Sequence, residues 1–142
     1  MIGALQILLL SLVAAFTVVC GQNWWQTANQ PVFVGLAAGV IMGDPATGMY
    51  IGGSTQLTVL GIGTFGGSSH IDANTGSIIA TAFSVALGMD PSQALAAIAV
   101  PVAAILTVVD VLGRFCNTFF QHRIDTMIER EDYAGIERNF LY

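Results

Sequence analysis

The 142-residue chain is 54% hydrophobic and only 9% charged, with a formal net charge of −5 and a mean hydropathy of +0.72. Between Met1 and Gly113 the only charged side chains are Asp44, Asp72, Asp90 and Asp110; every Arg (114, 123, 130, 138) follows, and there is no Lys. A soluble domain carries roughly 25% charged residues, and four aspartates cannot furnish a water-facing surface, so a soluble enzyme and a nucleic-acid binder are both excluded. The composition is that of an all-α integral membrane protein with a short polar tail.

Five apolar segments follow one another, at residues 1–21, 32–43, 46–62, 77–88 and 93–113. The first is about 31 Å long as a helix, enough to cross a hydrocarbon layer of about 30 Å. It lacks a basic start and a small-x-small cleavage site, so it reads as a retained segment rather than a secretory signal. The second and fourth reach only about 18–20 Å and are too short to cross alone.

Two similar turns punctuate the chain. Gly43-Asp44-Pro45 and Gly88-Met89-Asp90-Pro91 each combine a helix-ending Gly, an Asp N-cap and a Pro at the first helical position. They predict two helical hairpins, each pairing a short limb with a longer one, and capping is the ordinary reading of both Asp44 and Asp90. Gln93 stands where a capping box would use it. Pro101 predicts a kink in the fifth, spanning segment.

The Arg residues directly after the fifth segment predict a cytoplasmic tail, which places both Asp-Pro turns and the N-terminus outside. The connections at 22–30 and 63–76 then face inward, yet neither has a Lys or Arg. Together with the short limbs, this predicts re-entrant hairpins whose polar apices stop inside the membrane, where irregular backbone must line a watery cavity or be buried in protein. Short, Gly-interrupted segments in matching positions point to a permease's binding site. The membrane domain is expected over 1–113 and an amphipathic, interfacial or cytoplasmic helix over 114–142. Its apolar residues, among them Phe115, Phe119 and Ile128, alternate with charges and suit packing on a partner subunit or its own core.

Candidate contact residues cluster in three places. Gly52-Gly53 implies close backbone approach, a kink or an unwound turn, and Ser54, Thr55 and Gln56 follow it. Their ordinary role is small-residue packing with hydroxyls bonded back to carbonyls. The functional alternative is a neutral polyol site, since Gln56 carries both a donor and an acceptor without burying a charge. The second apex holds His70, Asp72 and Asn74. One His and one carboxylate make neither a metal site nor a catalytic set, but a carboxylate at membrane depth needs a partner or a function. In the first apex, Trp25 is either an interfacial anchor or a stacking face for a sugar. Asp110 and Arg114 are spaced to pair along one helix. Cys20 and Cys116 lie in apolar surroundings and read as small hydrophobes.

The run Gln30-Pro31-Val32, Gly35, Gly39, Met42-Gly43-Asp44, Thr47-Gly48, Ile51-Gly52-Gly53-Ser54-Thr55-Gln56-Leu57, Leu60-Gly61 resembles the IIC membrane subunit of the mannose/fructose/sorbose class of bacterial sugar phosphotransferase systems. Asp90-Pro91, Ala97, Val100-Pro101-Val102 and Gly135-Ile136-Glu137-Arg138 continue that likeness. The resemblance implies a multi-pass inner-membrane subunit working with a IID membrane subunit and cytoplasmic IIA and IIB proteins, and a homo-oligomer of IIC–IID units is expected. It implies that sugar is phosphorylated on entry by IIB, that neither His70 nor His122 is a phosphohistidine, and that no cofactor or metal is required. The family's candidate sugar contacts map onto Gln56 and Asp44. Gln56 stands where mannose-type members carry an acidic residue and matches the sorbose and N-acetylgalactosamine branches. Family subunits run to nearly twice this length, so the expectation is an N-terminal half: a fragment, a split gene or a truncated product.

The leading expectation is therefore a sugar-translocating subunit that moves a hexose, ketose or N-acetylhexosamine. Two other classes compete with it. One is a non-transporting membrane scaffold that binds partner subunits. The other is an ion-coupled secondary transporter, in which Asp44 or Asp72 would carry the coupling proton or cation.

Overall fold

A computed structural model describes residues 2–23, 29–60, 71–131 and 133–139, which are helical and contain no strand. The chain divides into two compact units, Met1–Thr107 and Val108–Tyr142. The first unit contains α1 (Ala4–Asn23), α2 (Pro31–Met42), α3 (Pro45–Val59), α4 (Ala73–Leu87) and the short α5 (Pro91–Ala94). A π turn at Leu95–Ala99 leads into α6 (Val100–Glu129), which continues into the second unit, and α7 (Tyr133–Asn139) follows there.

Local chemistry sets the turn between α2 and α3. Gly43 closes α2 in the left-handed region at φ +92°, and its N–H bonds to the carbonyls of Gly39 and Val40. Asp44 then caps α3, accepting from the Thr47 N–H at 3.1 Å and the Thr47 hydroxyl at 2.6 Å. The two helices run antiparallel with glycine against glycine. A Cβ on Gly35 would lie 2.5 Å from the Gly48 carbonyl oxygen, and one on Gly39 would lie 2.6 Å from that of Asp44. Gly48 and Gly52 complete the seam, against Gly39 and Pro31 respectively. Of the three roles open to Gly52-Gly53, Gly52 fills the close approach. The helix is neither unwound nor interrupted there.

α4 begins four residues before the apolar pattern predicts. Asp72 caps it, accepting from the Thr75 N–H at 3.0 Å and the Thr75 hydroxyl at 2.6 Å, so Asn74, Thr75 and Gly76 are helical rather than part of a loop. The Asp-x-x-Thr spacing is the one used at Asp44, and it outweighs the local polarity. α4 ends at Gly88, with φ +64°. Asp90 caps α5 through the N–H groups of Ser92 and Gln93 and the Ser92 hydroxyl. Gly76 lies against the π turn, where a Cβ would come within 2.6 Å of the Ala99 carbonyl oxygen.

The disturbance expected at Pro101 appears as the π turn immediately before it, where the Val100 N–H reaches back to the Leu95 carbonyl. A proline cannot donate to the helix ladder and crowds the carbonyl one turn back, and a π turn relieves that crowding. At the expected division between 113 and 114, α6 runs through Gly113 without a stop. One helical Gly costs only about 1 kcal/mol, and Arg114 Nε pairs with Asp110 across that position at 2.9 Å.

Two apolar clusters make the core of the first unit. Leu10, Val34, Ala38, Ile78 and Ala82 form one, joining α1, α2 and α4. Ile51, Ala80, Ala94 and Ala99 form the other, joining α3 and α4 to α5 and the π turn. α1 turns Leu5, Leu8, Leu12 and Phe16 outward, and α6 does the same with Ile105, Val108 and Leu112. Outward-facing apolar side chains suit a hydrocarbon solvent. Among the described residues, Pro91–Glu129 is long and apolar enough to cross a membrane by length and composition.

Candidate functional site

The start of α2 poses a capping problem. Pro31 has no N–H, and Gln30 at the N-cap makes no side-chain cap bond. The N–H groups of Phe33 and Val34 are met by the Gln30 carbonyl, at 3.0 and 3.2 Å. The Val32 N–H is met from another helix, by Gln56 Oε1 of α3 at 3.3 Å. Gly52 makes this reach possible, because it sits one turn earlier on α3 with no side chain between it and the Pro31 carbonyl. The Gln56 amide nitrogen has no hydrogen-bond partner among the described residues, and the side chain is half-buried.

The start of α4 is tied to the same place. The Asn74 amide nitrogen donates to the Asn29 backbone carbonyl at 3.0 Å and to Asn29 Oδ1 at 2.7 Å. Asn74 Oδ1 is buried and has no partner. Gln56 and Asn74 thus hold residues three apart in the chain, Val32 and Asn29, from two different helices. Each has one half of its amide engaged in structure and the other half uncommitted. The uncommitted halves are a donor on Gln56 and an acceptor on Asn74.

The remaining candidates fall elsewhere or take structural roles. Asp72 is at this end but engaged as the cap of α4. Thr55 is buried, with its hydroxyl bonded to the Ile51 carbonyl at 2.7 Å. Ser54 is half-buried, and its backbone carbonyl accepts from the Thr58 hydroxyl. Thr55 therefore shows the ordinary packing behaviour considered for this stretch. Asp44 lies twelve residues before Gln56, roughly 18 Å along a straight α3, so one monosaccharide cannot touch both. The structure therefore places Asp44 and Gln56 at opposite ends of α3 rather than side by side. The Thr47 hydroxyl and N–H hold the Asp44 carboxyl below the usual carboxylate range, and Ser92 does the same for Asp90. Trp25 and His70 lie outside the described residues. Asn29 was missed by sequence reasoning, although the polar pair before Pro31 is a helix-start signal. Among the described residues, no group of three or more His, Cys, Asp or Glu is placed to hold a metal.

The family described as the sorbose-specific IIC component of the phosphotransferase system matches residues 4–142. The chain belongs to that family. It is 35% identical over 108 residues to the sorbose-specific EIIC component of Lacticaseibacillus casei, covering 76% of this chain and 39% of that protein. It is 28% identical over 135 residues to the fructose permease IIC component of Bacillus subtilis (strain 168), covering 95% and 50%. With the mannose-specific EIIC component of Escherichia coli (strain K12) it shares 28% identity over 137 residues, covering 93% and 51%. This IIC chain spans about half the length, or less, of these relatives. No solved structure matches it significantly.

Proposed function

We propose that this IIC chain is a sugar-translocating membrane component of a phosphoenolpyruvate-dependent phosphotransferase system, binding a neutral sugar where α2 and α4 begin. The observation that carries this reading is the pair of half-used amides, the Gln56 nitrogen and Asn74 Oδ1. A sugar hydroxyl both donates and accepts, so an uncharged donor and an uncharged acceptor match it without the cost of burying an ion. Family membership and relatives named for sorbose, fructose, mannose and N-acetylgalactosamine support a hexose, ketose or N-acetylhexosamine as the substrate class. Trp25, four residues before Asn29, and His70, two before Asp72, are the nearest sequence neighbours able to add a stacking face and a hydrogen bond.

The lengths of the helices support limbs that enter the membrane without crossing it. α2 is about 18 Å long, and α3 and α4 about 22 Å each, against about 30 Å of hydrocarbon. With the Arg-bearing tail on the cytoplasmic side, the start of α2 and the start of α4 face inward at membrane depth and the Asp44 and Asp90 turns face outward. Phosphate comes from a IIB protein served by IIA, a IID subunit completes the membrane complex, and IIC itself carries no phosphorylated residue.

The test is sugar uptake by cells expressing Gln56→Ala and Gln56→Glu, with membrane levels checked by immunoblot. Gln56→Ala removes the donor and the α2 cap and is expected to abolish uptake. Gln56→Glu keeps an acceptor for Val32 but loses the donor, and is expected to reach the membrane at normal levels with uptake reduced at least tenfold, the effect of one strong hydrogen bond. Normal uptake by both variants overturns the site.

A further inference from the structure

α4 carries a buried polar face of which the site above uses only Asn74. Asn74, Ser77, Thr81 and Ser84 recur at helical spacing and lie on one side of the helix. Ser77 and Thr81 are fully buried and Ser84 is 3% exposed. On one flank of this face, Ile78 and Ala82 pack on Val34 and Ala38 of α2. On the other, Ala80 packs with Ile51 of α3, Ala94 and Ala99. The polar face therefore looks onto the α2–α3 pair, with an apolar cluster on either side.

One member is out of keeping with the rest. The hydroxyls of Thr17, Thr47, Thr55, Thr58, Thr75, Thr107, Thr118 and Thr126 all donate a hydrogen bond, most of them to a carbonyl of their own helix. Ser77 bonds back to Ala73, and Ser84 bonds to the Met89 carbonyl. Thr81 Oγ1 alone among these is buried with no partner. Its hydroxyl forgoes the Ser77 carbonyl and stays buried, and leaving that bond unmade is costly. Valine would fill the same space without that cost. The same face begins at Asn74, whose Oδ1 is also without a partner.

Resting on the sugar site proposed above, we infer that the Asn74–Ser77–Thr81 face of α4 is the wall along which the sugar leaves that site, and that this structure holds the route closed. Thr81 gains its missing partner, a sugar hydroxyl, when α4 and the α2–α3 pair part. The two sides of the route differ in kind: the α2–α3 seam is backbone against backbone, whereas α4 meets the pair through side chains and adjoins a π turn.

The experiment uses the chain expressed with its partner subunits in cells, scored with whichever of sorbose, fructose and mannose the wild type takes up. Thr81→Val is expected to leave sugar binding to isolated membranes unchanged, to melt no lower than wild type, and to slow uptake about tenfold. Thr81→Ser restores uptake. In a background where Cys20→Ser and Cys116→Ser remove the native thiols, Thr81→Cys is expected to react with a membrane-permeant thiol reagent only while sugar is being transported. Wild-type uptake by Thr81→Val, or a Cys at 81 that stays unreactive during transport, overturns the inference. Gln56→Ala reads the site through loss of binding, and Thr81→Val reads the route through uptake with binding intact, so the two readings fail separately.

Discussion

The α2–α3 pair and the pair formed by α4 with α5, the π turn and α6 share their turn chemistry and differ in their seams. Each turn has a glycine with positive φ, an aspartate cap and a proline at the first helical position. In the first pair, four glycines spaced four apart on each helix bring backbone onto backbone. In the second, Gly76 alone makes such an approach, onto a π turn, and the rest of α4 packs through alanines and a hydroxyl-bearing face. Turn residues therefore decide that neighbouring helices pair, and the spacing of small residues decides how closely. A seam made of backbone has no side chain to give way, whereas a seam bordered by a π turn has a ladder that can shift register.

Four measurements break or sharpen that contrast. Gly48→Ala puts a Cβ into the Gly35 carbonyl and the Gly39 backbone, and is expected to cost about 1–3 kcal/mol or more in detergent unfolding. Gly76→Ala meets the Ala99 carbonyl of the π turn and the Ala103 Cβ at 3.3 Å, and its loss should be less than half as large. Equal losses would remove the distinction between a fixed and an adjustable seam. Gly43→Ala and Gly88→Ala have open space around them, so each should show only the cost of a left-handed alanine, about 1–2 kcal/mol, and the same in both pairs. A large difference between these two would mean that the turns are not equivalent.

The smallest effect concerns acid. The carboxyls of Asp44 and Asp90 sit below the usual range in the folded protein because the Thr47 and Ser92 hydroxyls hold their charged forms. A depressed folded-state value contributes stability that is complete above the unfolded value and is lost as pH falls through the folded one. Unfolding temperature should therefore drop below about pH 4. Asp44→Asn and Asp90→Asn should each flatten that drop slightly, and an unchanged acid profile in both would remove the caps' electrostatic share.

Much of the helical framework was legible because its signals are local. Gly43, Asp44, Pro45, Gly88, Asp90 and Pro91 act within four residues of where they stand, and each took the role its type predicts. The start of α4 was missed because Asn74 and Thr75 look like loop residues, although Asp72 and Thr75 repeat the spacing of Asp44 and Thr47. The continuity of α6 through Gly113 was not legible, because a change of polarity along a helix does not by itself mark a stop. Gln56 was legible as a polar group inside an apolar segment. Its bond to Val32 was not; Asn29 was marked only as part of a helix start, and the unpartnered Thr81 carries no signal of its own in the chain.

The amino-acid sequence alone determined the solvent this protein is built for, its family, and where its helices turn. Those follow from composition and from side chains acting on neighbouring backbone. Tertiary structure alone decided which polar groups meet and which are left over. Gln56 reaches Val32 across 24 residues and Asn74 reaches Asn29 across 45, and the first contact depends on how closely the α2–α3 glycines let the backbones approach. That approach is a property of two packed helices, and no single segment contains it.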